Sequence, residues 1–339
     1  MKICVSLGIG TSSRRCWAKS PPAAFSPATN SRPKPSSPRR FPRRGSTISR
    51  AIRDLKNKGL LNRQRRGGTH IALPQSQRIA LFTPFTRSAS DLGYIGGQIH
   101  AHLSDLAARR GDHLRLQIID AGDDCDRLEP MLAAARALIQ QGVAGVFYYP
   151  AELPREQAHY NQAVVERLQM AGIAVIVVDR DIVAPPDRSA LHVVTYDNRR
   201  GGHLITRHLI QQGRKRIAFI GTPYVSSVGS ARLRGYIDAL QDHGLPIDTT
   251  LIRHATMADL NEQFCGKLLR EARPDAIVCK MDHYAAVVSR HLVNLGLTIG
   301  SDVLLAGFDD EPFAELLPVP LTTIRFPADP FCAKPVLTG

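Results

Sequence analysis

Acidic residues are almost missing from the start of the chain. Residues 1 to 70 hold 17 Lys or Arg and a single acid, Asp54, a net charge of +16, while the full 339 residues carry 44 Lys plus Arg against 30 Asp plus Glu, a net +14. The remaining 269 residues are left with −2. Polyanion binding needs clustered rather than scattered cations. The segregation therefore excludes a uniformly basic, ribosomal-type protein and points to a basic, DNA-reading module on a near-neutral body.

Further absences narrow the field. The six cysteines, Cys4, Cys16, Cys125, Cys265, Cys279 and Cys332, show neither a CxxC pair nor His partners at metal-ligand intervals. That spacing excludes zinc and disulfide frameworks and fits reduced thiols; no metal or cofactor is expected. No run of about 18 apolar residues exists, so a spanning helix is not expected. The opening MKICVSLGIG has too short an apolar run for a signal peptide and leads into Arg14, Arg15, Trp17 and Lys19 instead of a small-residue cleavage site, which points to the cytoplasm. Catalytic motifs are missing too: there is no Walker-type phosphate loop, no dinucleotide-binding glycine fingerprint after a strand of the body, no nucleophile elbow and no HExxH. His203, His208 and His283 fall on helical patterns, where solvated or packed histidines are commoner than catalytic ones. No enzyme is expected.

What is present divides the chain. Residues 1–45 are basic and crowded with proline, without apolar periodicity, and read as a disordered segment. From Thr47 the pattern becomes helical: Ile48, Ile52, Leu55, Leu60 and Leu61 recur at helical spacing, and Gly59 is placed to end the helix. A short basic hairpin, NRQRRGGTHIAL, follows, so 46–74 form one piece and 75–78 a linker. Over 79–325, apolar runs rich in Ile, Val and Phe alternate with amphipathic stretches, the βαβ signature. Strands are expected at 78–84, 114–120, 143–149, 173–179, 191–197, 216–222, 275–280 and 303–309. Helices lie between them, two ending in Gln-Gln-Gly. Continuous apolar strands with intervening helices make buried parallel sheets. The length suits an α/β fold of two doubly wound parallel-sheet subdomains facing a ligand cleft, with crossovers near 195 and 320.

In an open parallel sheet the ligand lies beyond the carboxyl ends of the strands. Several strands end there in polar residues: Asp179-Arg180, Tyr196-Asp197-Asn198, Met281-Asp282 and Asp309-Asp310. Carboxylates accept from hydroxyls and Arg donates two parallel bonds, so this edge suits a neutral polyhydroxyl ligand. Charged residues at strand ends also commonly cap helices or face solvent.

The blocks RIALFTP, VVDRDI, TYDNRRGGHLITRHLIQQGRKRIAFIG, SARLRGYIDAL, DAIVCKMDHYAA and LLAGFDD followed by PLTTIR resemble, in that order and with family-like spacing, the effector-binding domain of the LacI/GalR regulators over residues 78–325. The resemblance implies a type I periplasmic-binding-protein architecture, a homodimer, and a cleft for a sugar or other small metabolite. It places ligand contacts at Arg180, Arg232, Asp282 and Asp309, with Tyr94 near the aromatic wall after the first strand. Met281 stands where the family often has Asn. The piece TISRAIRDLKNKGLLNRQRRGGTHI is similar to the second half of a GntR-type winged helix-turn-helix, a head known on LacI-type bodies in arabinose-repressor-type regulators. It assigns DNA contacts to Ser46, Thr47, Ser49, Arg50 and Arg53 on the recognition helix and to Arg65, Arg66, Gly68 and Thr69 on the wing. Arg66 replaces a glycine usual there.

A winged helix needs two further helices before the recognition helix, and residues 1–45 supply prolines instead. We read them as translated out of frame, with the frame restored near Ser46; the nucleotide sequence decides this. The end, FPADPFCAKPVLTG (326–339), diverges from the family after PLTTIR and reads as truncated or frame-shifted. The expected function is a DNA-binding repressor whose partners are operator DNA and a sugar effector, with no membrane partner. The competing expectation is a periplasmic-type sugar-binding protein without DNA-binding competence.

Overall fold

The strands form where short β-branched and aromatic runs are bounded by turn residues, and the helices where apolar residues recur every three to four positions. The computed structural model describes residues 61–64, 68–71, 77–83, 93–109, 114–120, 127–183, 185–325 and 336–338. The expectations for 1–45 and 46–60 lie outside the described residues. The chain divides into two compact units near residue 75, each described by itself.

In the first unit, β1 (Leu61–Gln64) pairs antiparallel with β2 (Gly68–Ile71), Leu61 opposite Ile71 and Gln64 opposite Gly68. Gly68 and Thr69 open β2. Ser46, Thr47, Ser49, Arg50, Arg53, Arg65 and Arg66 fall outside the described residues.

The second unit holds two parallel-sheet α/β lobes. The first contains β3 (Gln77–Thr83), α1 (Gly93–Arg109), β4 (Leu114–Asp120), α2 (Leu128–Gln140), β5 (Gly145–Tyr148), α3 (His159–Met170), β6 (Ala174–Val178) and β7 (His192–Val194). Its five strands lie in the order β4-β3-β5-β6-β7, all parallel. Phe82, Met131, Leu138, Tyr148, Val164, Leu168 and Val177 pack one face at 2% exposure or less; Leu81, Ile99, Leu103 and Val178 pack the other. Continuous apolar strands are thus covered on both faces, as their composition requires. Buried Tyr148 donates to Asn161 Oδ1 (2.7 Å), and the Asn161 amide brackets the Ala151 backbone from both sides (3.0 and 2.9 Å), tying down the chain as it leaves β5.

After β7 the chain crosses to the second lobe: α4 (Asn198–Gln211), β8 (Ile217–Gly221), α5 (Ser227–Asp242), β9 (Ile252–His254), α6 (Glu262–Ala272), β10 (Ala276–Cys279), α7 (Asp282–Asn294), β11 (Leu304–Asp309), β12 (Thr322–Arg325) and β13 (Val336–Thr338). The order is β13-β12-β11-β10-β8-β9, parallel except for β13. Side-chain oxygens start three helices: Asp197 accepts from Arg200 N, Ser226 from Gly229 N and Asn261 from Phe264 N. Both Gln-Gln-Gly sequences end helices, with Gly142 at φ 65° and Gly213 at φ 83°, where a Cβ would be strained.

All eight expected strands are present, most shortened by one or two residues at their ends. The chain passes from the first sheet to the second after β7. Thr322–Arg325 lies in the second lobe, hydrogen-bonded beside β11, and residues 326–335 that follow it are outside the described residues. Strand β9 was not anticipated. It is three residues long and carries Arg253 and His254, so it has no apolar run to mark it.

Candidate functional site

In the first lobe the strand order reverses between β3 and β5, and in the second between β8 and β10. A crevice opens at such switch points beyond the carboxyl ends of the strands. A cavity of about 310 Å³ lies there, lined from the first lobe by Tyr94, Tyr149, Glu152, Asp179 and Arg180, and from the second by Arg232, Lys280, His283, Asp309 and Glu311, among others.

Arg180 and Asp179 follow β6. The Arg180 guanidinium donates to Asp179 Oδ2 through Nε (2.9 Å) and Nη2 (2.7 Å), to Tyr149 OH (3.0 Å), and pairs through Nη1 with Glu152 Oε1 (3.1 Å). It also lies 5.0 Å from the centroid of the Tyr149 ring. Glu152 in turn reaches across the cleft: its Oε2 is 2.6 Å from Lys280 Nζ, at the end of β10. Two further hydrogen bonds span the lobes nearby, Val225 N–H to Leu153 O (2.9 Å) and Asp181 N–H to the Ser227 side-chain Oγ (2.9 Å). Burial by itself would raise the Glu152 carboxyl, but Arg180 and Lys280 outweigh it and bring it down to about 2. Glu152 is therefore ionised at neutral pH.

Arg232 projects from α5 and is 5% exposed. Nε donates to Asn198 Oδ1 (3.0 Å), Nη1 to the Lys280 carbonyl, and Nη2 pairs with Asp309 Oδ1 (3.2 Å), while the guanidinium carbon sits 4.3 Å from the Phe308 ring centroid. A planar fork with this many partners is fixed before any ligand arrives. Burial raises the Asp309 carboxyl and Arg232 opposes the rise. Asp179 (φ 71°) and Asp309 (φ 105°) both take left-handed backbone conformations that L side chains rarely adopt. Such outliers persist where surrounding contacts over-determine them.

Four of the five sequence-selected ligand residues, Tyr94, Arg180, Arg232 and Asp309, line the cavity. Asp282 does not. It is fully buried, accepting from Thr323 Oγ1 (2.7 Å) and from the Glu311 backbone N–H (3.0 Å). It sits against Gly307 of β11, where a Cβ would come within 2.2 Å of its Oδ1. Burial pushes its carboxyl up to about 8 against the lowering effect of both hydrogen bonds. Tyr149, Glu152, Lys280 and Glu311 were not selected. Lys280 could have been found by extending the strand-end rule to the last residue of the DAIVCK block; Glu152 stands in a loop with no periodic signal. Glu311 holds His283 Nδ1 at 2.6 Å. Among the described residues no group of three or more His, Cys, Asp or Glu could hold a metal ion.

The Periplasmic binding protein-like domain family matches residues 206–336. The arabinose metabolism transcriptional repressor of Geobacillus stearothermophilus is 28% identical over 297 residues, 83% of this chain and 76% of its own. GalR of Salmonella typhimurium is 38% identical over 136 residues, so the match spans only 40% of either chain. Among solved structures, a CelR–cellobiose complex superposes with a TM-score of 0.63 at 22% identity, covering 85% of this chain and 81% of that one, which shows the fold. A LacI-family regulatory protein from Chloroflexus aggregans gives 0.58 at 27% identity, covering 74% and 85%. No described helix is long and apolar enough to cross a membrane. With two parallel-sheet lobes and a charged cleft at their switch points, the described body has the fold of a periplasmic-binding-protein-like domain, the family that matches residues 206–336, and its relatives include sugar-related transcriptional regulators.

Proposed function

We propose that this protein is a cytoplasmic, homodimeric DNA-binding repressor whose cleft takes a small sugar as effector. The cavity between the lobes carries the proposal: charged side chains from both lobes converge on it, held in place before a ligand binds. Tyr94, Arg180, Arg232 and Asp309 contact the effector, and Asp282 acts from behind by holding the Glu311 backbone. A ligand touching both lobes favours one lobe arrangement over the other, and a dimer transmits that preference to its DNA-reading heads. The work is binding, with no catalysis required.

Residues 46–74 form the head, a GntR-type recognition helix and wing. The β1–β2 hairpin, opening at Gly68 and Thr69, has the form such a wing takes. Ser46, Thr47, Ser49, Arg50 and Arg53 read bases or backbone, and Arg65 and Arg66 hold phosphates. Fluorescence anisotropy with a labelled duplex from upstream of the gene tests the proposal. With the frame of 1–45 restored, affinity should fall by about a thousandfold or more between 50 and 200 mM salt if six or more phosphates are contacted. Adding the effector sugar should change affinity by about 5- to 150-fold. Indifference to both salt and every sugar tried would sink the proposal.

A further inference from the structure

The proposed effector cleft can be read for charge as well as shape. Its lining holds three cations, Arg180, Arg232 and Lys280, and four carboxylates, Glu152, Asp179, Asp309 and Glu311. Each cation is already matched: Arg180 by Asp179 and Glu152, Lys280 by Glu152, Arg232 by Asp309. With His283 neutral the lining sums to −1.

The N-terminus of α5 at the cavity, which would otherwise favour an anion, is answered as well. At α5, Ser226 Oγ takes the Gly229 N–H and hydrogen-bonds to Glu152.

Acceptors are what this lining offers. Both Asp179 contacts from Arg180 fall on Oδ2, and the Arg232 contact to Asp309 falls on Oδ1. Among the described residues, the second oxygen of each carboxylate takes no hydrogen bond from the protein. Ligand hydroxyls satisfy such oxygens by donating, whereas a phosphate or carboxylate brings only acceptors and like charge. At about 310 Å³ the cavity sits at the lower end of ligand sites, roughly 300 to 1,000 Å³.

We propose that the cleft selects an uncharged polyhydroxyl ligand, a neutral mono- or disaccharide, and rejects sugar phosphates and sugar acids because every cation in it is already paired with a protein carboxylate. This rests on the sugar-effector reading above and narrows it.

Calorimetric titration of the full chain with L-arabinose, D-galactose and cellobiose, against D-galactose 6-phosphate, D-galacturonate and inorganic phosphate, separates the two claims. The expected result is binding of at least one neutral sugar and, for its charged counterpart, affinity lower by about 100-fold or more, equivalent to about 2.8 kcal/mol. A sugar phosphate or sugar acid binding as tightly as its neutral parent overturns the charge inference and leaves the sugar-effector reading standing. Failure of every sugar to bind overturns both. Glu152→Gln, which removes one carboxylate from between Arg180 and Lys280, should bring the anionic sugars at least tenfold closer to the neutral ones. Asp179→Asn removes the other carboxylate paired with Arg180, should Glu152→Gln fail to fold. If neither folded variant narrows the gap, the pairing of the cations is not what excludes anions.

Discussion

Arg232 joins a buried carboxylate, a buried amide, the Lys280 carbonyl and an aromatic face. Truncating it strands Asp309 as an uncompensated charge in the core, so Arg232→Ala should cost about 3–5 kcal/mol in urea unfolding. Arg232→Lys should recover part of the stability and none of the two-pronged geometry. Asp282 gives a pH signature. Its carboxyl is raised from 3.8 to about 8, so the fold favours the protonated form; the stabilisation is full below pH 3.8 and is lost as pH rises towards 8. Asp282→Asn keeps both contacts, accepting from Glu311 N–H and donating to Thr323 Oγ1. Urea midpoints measured from pH 4 to 8 should fall less steeply in Asp282→Asn than in the wild type. Parallel profiles would mean that Asp282 does not titrate in this range. The strand-end rule brought out Arg180, Asp282 and Asp309 together because each follows an apolar run. It cannot tell a carboxylate facing the cleft from one turned back into the sheet, which is decided by the gap left at Gly307.

Among the elements, α4 and α5 cross at two glycines. A Cβ at Gly202 would lie 2.1 Å from Arg232 O, and one at Gly235 would lie 1.9 Å from Arg199 O, both backbone atoms that cannot give way locally. The close approach puts Arg232 within reach of Asn198, at the start of α4 just after the crossover. Gly202→Ala should therefore push α5 away, destabilise the second lobe by about 1–3 kcal/mol and weaken effector binding. Gly213→Ala, at φ 83° with nothing within 4 Å of its Cβ, should cost stability without touching the site. Calorimetry beside thermal unfolding separates the two; equal effects on binding would remove the positioning role of the crossing. The helices and eight of the strands were legible because apolar period and punctuation such as Gln-Gln-Gly mark them locally. Strand β9 and the stay of β12 in the second lobe were not, since they depend on which neighbouring edge is open, a long-range matter.

At the scale of the whole molecule, residues 1–70 carry +16 and the remaining 269 carry −2, the separation on which the proposal of DNA as partner of the first part and a small effector as partner of the second rests. The cations of the cleft are each paired with a carboxylate, and Glu152, 2.6 Å from Lys280, joins the Val225–Leu153 and Asp181–Ser227 contacts in linking the lobes. A ligand entering there competes for groups already engaged, so its binding is tied to lobe geometry. The most direct measurement is a calorimetric titration of the wild type and Arg180→Ala with a sugar that the wild type binds, alongside circular dichroism to confirm that the variant is folded. The account predicts a loss of about 100-fold or more in affinity in the folded variant, because Arg180 both reaches the ligand and orders Asp179, Glu152 and Tyr149 around it. Equal affinity in the two proteins would place the effector elsewhere and contradict the account at its centre.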